Sequence, residues 1–307
     1  MKIATTTGDF SEYYSENDTR QILTLLADCG FKHIDLNIWH GNMPDSVIIT
    51  DQWERWTDEL GEAAAFLGLD FVQAHGSDGL FKECEDKHFR MKILKRELEI
   101  CRRLGIRGMT VHGIARKDGE RDEFMEANTA FYRELLDEAE KTGVMVFTEN
   151  TCTKNMPTYF IYDGDDVNEI CARLNNHPLF GCCWDVGHAN IQGVDQYKAI
   201  CTMGSNLKAV HIHDNIAWDN HLQPFVGNTN YDAILKGLKD IGFGPYFTLE
   251  AYSLPSSWKL TGRRPLELDG QVFNKLQTLP LSLKLRSERL MLDITRYMLE
   301  TYGCYED

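Results

Sequence analysis

Eight times along this chain, a short apolar run bounded by turn residues gives way to a longer segment whose apolar residues recur at helical spacing. The short runs are Lys2–Thr7, His33–Trp39, Asp70–His75, Gly108–His112, Val144–Asn150, Phe180–Asp185, Leu207–Asp214 and Pro245–Ala251. The helical segments cover about Asn17–Cys29, Asp51–Leu67, Lys87–Leu104, Glu123–Lys141, Asp165–Leu174, Asp195–Met203, Tyr231–Ile241 and Leu281–Tyr302. Strict alternation of strands and helices implies a parallel sheet, and eight such units in this length close into a barrel. An open doubly wound sheet would call for a glycine-rich phosphate turn after the first strand, which Thr5-Thr6-Thr7-Gly8-Asp9 does not supply. The sequence predicts an α/β chain forming a single (β/α)8 TIM-barrel domain over residues 1–307. It has a long segment after strand eight, Ser253–Pro280, and a C-terminal helix.

Six of the runs carry a residue able to bind metal at or near their C-terminal end: His75, His112, Glu149, Asp185, His211 and Glu250. In a barrel all C-terminal strand ends meet at one mouth, so these six residues form one cluster. Burying that many imidazoles and carboxylates together leaves like charges unpaired in low dielectric unless a cation joins them. The pattern points to a metal-centred active site.

Composition narrows the partners. A chain of 307 residues, 43% apolar, can bury a large core. Nine cysteines without CxxC spacing, and a start at Met1-Lys2-Ile3-Ala4-Thr5 with no secretory apolar region, suggest reduced thiols and a cytoplasmic location. No apolar stretch reaches the length of a membrane span. With 47 acidic against 32 basic residues the net charge is −15, which repels polyanions and disfavours nucleic acid as a partner.

Four motifs carry a family likeness: Glu149-Asn150, Asp185-Val186-Gly187-His188, His211-Ile212-His213-Asp214-Asn215 and Asp219-Asn220-His221-Leu222. Their order and spacing resemble the xylose isomerase-like TIM barrels, which include sugar and sugar-phosphate isomerases and epimerases as well as endonuclease IV. The resemblance implies one divalent ion (manganese, zinc, cobalt or magnesium) held by Glu149, Asp185, His211 and Glu250. His213 shares the inward parity of His211, and parity leaves both open; the resemblance selects His211. It further implies that Glu149 and Glu250 move the proton while His188 sits by substrate hydroxyls. The implied reaction is isomerisation or epimerisation of a sugar or sugar phosphate through a metal-stabilised enediolate.

Two alternatives share the scaffold. Endonuclease IV resembles the chain at further ligand positions, matching His75, His112, His188, Asp219 and His221, which would raise the ion count to three and make the protein a trinuclear-zinc phosphodiester hydrolase. A metal-dependent lyase or dehydratase is the other. Barrels of this family often form homo-oligomers, although no feature of the sequence demonstrates one here.

Plainer explanations compete at single positions. A lone strand-end histidine such as His75 or His112 is more often a hydrogen-bonded structural residue. His33 is expected at the surface, at the opposite end of the barrel, and His40 at the mouth. Cys182 and Cys183 alternate faces and fit core packing. Trp39, Trp218 and Trp258 fall in mouth-side segments, where they could stack on a sugar ring. Arg116 with Lys117, or Arg263 with Arg264, could hold a phosphate, though solvated charge is the more frequent role. Ser253–Pro280 reads as a lid over the mouth.

Overall fold

The computed structural model describes residues 1–77, 87–115, 119–154, 157–254, 266–273, 276 and 279–307. Its strands are β1 (Lys2–Thr6), β2 (His33–Asn37), β3 (Asp70–His75), β4 (Gly108–Thr110), β5 (Met145–Glu149), β6 (Phe180–Asp185), β7 (Leu207–His211) and β8 (Tyr246–Leu249). They pair in parallel in the order β7-β6-β5-β4-β3-β2-β1-β8. The ring closes where Ile212 N donates to Thr248 O at 2.8 Å and Glu250 N to Ile212 O at 3.0 Å. The (β/α)8 barrel expected from the alternation is the fold.

Helices α1 (Thr19–Cys29), α2 (Trp53–Leu67), α3 (Lys87–Leu104), α4 (Arg121–Thr142), α5 (Gly164–Arg173), α6 (Val186–Gln192), α7 (Gln196–Met203), α8 (Tyr231–Asp240) and α9 (Leu281–Thr301) surround it. The end of α1 shows why they stop where they do. Gly30 takes a left-handed φ of 99°, and its N–H returns to the Ala27 carbonyl. Outward strand residues such as Ile34, Leu36, Val146, Trp184 and Val210 pack against the helices in one continuous core. A smaller inner cluster, Phe147, Cys183 and Ala209, plugs the barrel. Cys182 faces the outer core and Cys183 the inner plug, as their alternation required.

Several expectations need correction. Strands four and seven are shorter than Gly108–His112 and Leu207–Asp214. Past Ile212 the chain leaves the barrel, and the Asp214 carboxylate folds the next loop onto itself, accepting from Asn215 N, Gly227 N and Thr229 N. The short α6 was not anticipated; it starts because the Asp185 carboxylate caps it, accepting from His188 N at 2.6 Å. His33 is buried, not exposed. Its ring lies 5.1 Å from that of Tyr246, between β2 and β8, and Nδ1 is 3.7 Å from Asp70.

Within Ser253–Pro280 the structure shows an antiparallel hairpin, β9 (Leu266–Leu268) and β10 (Gln271–Phe273), turning at Asp269-Gly270 with φ of 49° and 74°. Trp258, Arg263 and Arg264 lie outside the described residues, as do Arg116 and Lys117, so the lid and phosphate expectations fall there. No helix among the described residues is long and apolar enough to cross a membrane.

Candidate metal centre

All six strand-end residues reach the same mouth. His75, Glu149, Asp185 and His211 are the last residues of β3, β5, β6 and β7; Glu250 follows β8 directly, and His112 lies two residues past β4. Glu149 is the hub. Its Oε1 is 2.5 Å from His211 Nδ1, its Oε2 contacts His112 Nε2, and His75 Nε2 stands 3.6 Å from Oε2. Glu250 Oε2 is 3.3 Å from the same His211 nitrogen. One ligand atom each from Glu149, Asp185, His211 and Glu250 lies within 4.8 Å of all the others, so this group could hold an ion. Two further triads meet the same criterion: His75, Glu149 and His211, and His213, His221 and Glu250.

The Glu149-Asn150 motif also braces β6. Asn150 Oδ1 accepts from Asp185 N at 2.7 Å and Asn150 Nδ2 donates to Asp185 O at 2.9 Å, which fixes the carboxylate relative to Glu149. Both inward histidines of β7 and its extension enter the site. His211 faces Glu149 and Glu250, whereas His213 Nε2 is 3.0 Å from each Asp185 oxygen and its ring stacks on His221 at 4.1 Å. Gly187 gives that ring room, because a Cβ there would stand 1.9 Å from it.

His188 and His221 complete the mouth on either side of Asp219, with Nε2 atoms 3.2 and 3.4 Å from its carboxylate oxygens. Their Nδ1 atoms donate to backbone carbonyls, of Asn150 at 2.9 Å and Glu250 at 2.8 Å. A neutral imidazole so anchored carries a lone pair on Nε2, and here two such lone pairs would face one carboxylate. A proton or a metal cation must stand between them.

The electrostatics say the same. Burial alone would raise the carboxyl pKa values, yet the His211 and His112 imidazoles hold Glu149 well below the usual range. Asp185 is likewise lowered by His188 and His213, and Asp219 by His188 and His221. Burial works against protonating the imidazoles, but the carboxylates push His188 well up and His221 to about 10, and Cys183 together with Glu250 and Glu149 pushes His211 well up. Without a cation the cluster recruits protons. The donor set, three carboxylates and an imidazole, suits a borderline or hard dication, and metal–ligand bonds of about 2.0–2.2 Å place neighbouring ligand atoms roughly 3 Å apart, like His211 Nδ1 and Glu250 Oε2. The residues fit a metal.

Above them opens a cavity of about 610 Å³, within the range that takes small organic ligands. Trp39 forms one wall, its ring 5.0 Å from that of His75 and 5.2 Å from that of His112. His40 is at the rim, 3.0 Å from Glu16, while Trp218 is 68% exposed and outside the lining. Among the described residues the lining has no lysine or arginine. Sequence reasoning missed Asp35, fully buried on β2 with Oδ2 3.4 Å from His211 Nε2. A signal existed: His33, Asp35 and Asn37 are polar at alternate positions of one strand, which marks an inward polar face.

A profile of the xylose isomerase-like TIM barrel family matches residues 23–265. The uncharacterized protein y4fM of Sinorhizobium fredii is 24% identical over 261 residues, covering 74% of this chain and 79% of that one. Among solved structures, D-psicose 3-epimerase from Clostridium cellulolyticum H10, determined with D-tagatose, superposes with a TM-score of 0.73 at 18% identity, over 97% of this chain and 99% of that one. A D-allulose 3-epimerase from Methylomonas sp. gives 0.72 at 15% identity, over 97% and 98%.

Proposed function

The chain belongs to the xylose isomerase-like TIM barrel family, and from that premise we propose that it is a divalent-metal-dependent isomerase or epimerase of a sugar or sugar phosphate. One observation carries the reading: ligand atoms of Glu149, Asp185, His211 and Glu250 converge within 4.8 Å, and two of these residues, Glu149 and Glu250, line an open cavity. The names of the superposable structures, all sugar 3-epimerases in the two cases above, support it.

In this proposal those four residues hold one dication (manganese, zinc, cobalt or magnesium), which when bound polarises the substrate carbonyl and adjacent hydroxyl and so acidifies the intervening C–H. Glu149 and Glu250 both border the cavity, and we assign them the proton transfer: one takes the proton from carbon and the other returns it. His188, held at Nδ1 by the Asn150 carbonyl, presents Nε2 toward the cavity to orient a substrate hydroxyl. Trp39 offers an aromatic wall to the apolar face of the sugar.

The test is turnover of a panel of ketoses, aldoses and their phosphates with each metal added. Interconversion of stereoisomers or of aldose and ketose is expected, and no product at full metal occupancy overturns the reading.

A second reading has its own support. His75 and His112 crowd Glu149, and His188, Asp219 and His221 form a separate group, so ligands for up to three ions stand at one mouth. Three zinc ions would suit phosphodiester hydrolysis. A net charge of −15 and a lining without lysine or arginine among the described residues weigh against a polyanionic substrate. Metal stoichiometry and an abasic-duplex cleavage assay separate the two: three ions with cleavage replace the isomerase reading, one ion without cleavage removes the hydrolase.

A further inference from the structure

We propose that Asp35, which lies outside the ligand set, is a positioning residue that selects the nitrogen His211 turns to the metal; this rests on the metal-dependent reading above. His211 is fully buried between two sets of carboxylates. Its Nδ1 faces the ligand cluster, 2.5 Å from Glu149 and 3.3 Å from Glu250. Its Nε2 points the other way, toward Asp35 Oδ2 at 3.4 Å, just short of a formed hydrogen bond. Asp35 Oδ1 also lacks a hydrogen-bond partner among the described residues, so the carboxylate beside the unpartnered His211 Nε2 keeps unused accepting capacity.

A neutral imidazole has one N–H and one lone pair. With the N–H on Nε2, it meets the Asp35 carboxylate and leaves the Nδ1 lone pair for an ion. The opposite tautomer aims a lone pair at a carboxylate and an N–H into the ligand cluster. Asp35 therefore favours the metal-binding tautomer.

Asp35 is itself held. Gln73 Nε2 on β3 donates to its Oδ2 at 3.3 Å, and Gln73 Oε1 accepts from Thr248 Oγ1 on β8 at 3.1 Å. This chain of contacts runs from β8 through β3 and β2 to β7, and all four side chains are buried. If Asp35 merely filled space, an amide of the same shape would serve equally well. Its charge is needed only if it acts on the imidazole.

The experiment compares full-length wild type, Asp35→Asn and Asp35→Ala. Mn²⁺ affinity is measured by calorimetry on metal-stripped protein, with circular dichroism as the folding control. Long-range ¹H–¹⁵N spectra of the Zn²⁺-loaded proteins, assigned with His211→Gln, report which His211 nitrogen carries the proton. Wild type is expected to show Nε2–H, and both variants to bind Mn²⁺ roughly 10–100-fold more weakly with circular dichroism unchanged. A folded Asp35→Asn protein that binds Mn²⁺ within twofold of wild type, with the same His211 shifts, overturns the assignment while leaving the metal reading intact. Wild type that binds no divalent ion overturns both. If the variants do not fold, the wild-type spectrum decides alone, since a proton on Nδ1 overturns the proposal.

Discussion

Two clusters of buried carboxylates sit in this barrel, and they meet their charge in opposite ways. Behind the mouth, Asp9 in the turn after β1 and Glu288 on α9 share a fixed cation. Lys284 Nζ donates to Asp9, stands 3.1 Å from Glu288 Oε1 and donates to the Ser253 carbonyl at 2.8 Å. Ser253 adds its N–H to Asp9 and its hydroxyl to Glu288. Burial and the nearby Glu288 still push Asp9 well above the ordinary range, but the cluster's ammonium is covalently its own. At the mouth, the ion-pair partners of Glu149, Asp185 and Glu250 among the described residues are all imidazoles. An imidazole can give up a proton and offer a lone pair to a metal, which an ammonium at neutral pH cannot. The first cluster ties α9 to the barrel; the second, in the reading proposed above, takes its cation from solution.

The sharpest way to break this contrast is turnover. Glu149→Gln and Glu250→Gln are each expected to lower kcat by roughly 10²–10⁴-fold in the folded protein, the range for loss of a general base. Lys284→Met is expected to leave kcat per folded molecule nearly unchanged. Steady-state assays on the metal-loaded proteins decide it, and near-normal turnover in either glutamine variant removes that residue from the proton path.

Stability should invert the ranking. Lys284→Met strands buried carboxylates and is expected to cost about 3–5 kcal/mol, read from denaturant melts, with the bound-metal count unchanged. A loss below about 1 kcal/mol would mean that the Lys284 cluster is not the anchor its burial suggests. Metal should act only on the mouth. Free Mn²⁺ at 100 times its Kd is expected to stabilise the protein by about 2.7 kcal/mol, reversed by chelation and equal in wild type and Lys284→Met. A melting temperature indifferent to every divalent ion would erase the distinction between the clusters.

What the sequence disclosed follows from the same difference. The barrel was legible because alternation is a local pattern repeated eight times, and the gathering of the six strand-end residues because barrel closure brings every strand end to one mouth. The Lys284 cluster was not: Asp9 and Lys284 are 275 residues apart, and no local pattern marks a lysine on a C-terminal helix as buried. Asp35 stayed hidden because its meaning depends on His211, five strands later in the chain. His33 was misplaced because only barrel closure brings Tyr246 over it. The roles of His211 and His213 could not be divided by parity, and the structure puts one against Glu149 and the other against Asp185.

Glu97 on α3 offers the mildest test, because it is a buried carboxyl with neither solution. It is fully buried, and among the described residues no lysine, arginine or histidine forms an ion pair with it. Its Oε2 accepts from Ser77 N at 3.0 Å, below the mouth loop after β3, while Oε1 has no hydrogen-bond partner there. Burial raises the Glu97 pKa from 4.5 to about 8, and the hydrogen bonds from Ser77, with a smaller help from the Arg90 charge, offset it only in part. A carboxyl whose folded pKa is raised holds its proton in the native state while the unfolded chain releases it. Its contribution to stability is therefore full below about pH 4.5 and fades as the pH climbs through about 8. Glu97→Gln, which stays neutral throughout, should remove that slope. The melting temperature of wild type relative to Glu97→Gln is expected to fall between pH 5 and pH 8.5, whereas parallel curves would show that Glu97 finds a cation after all and belongs with the Lys284 cluster.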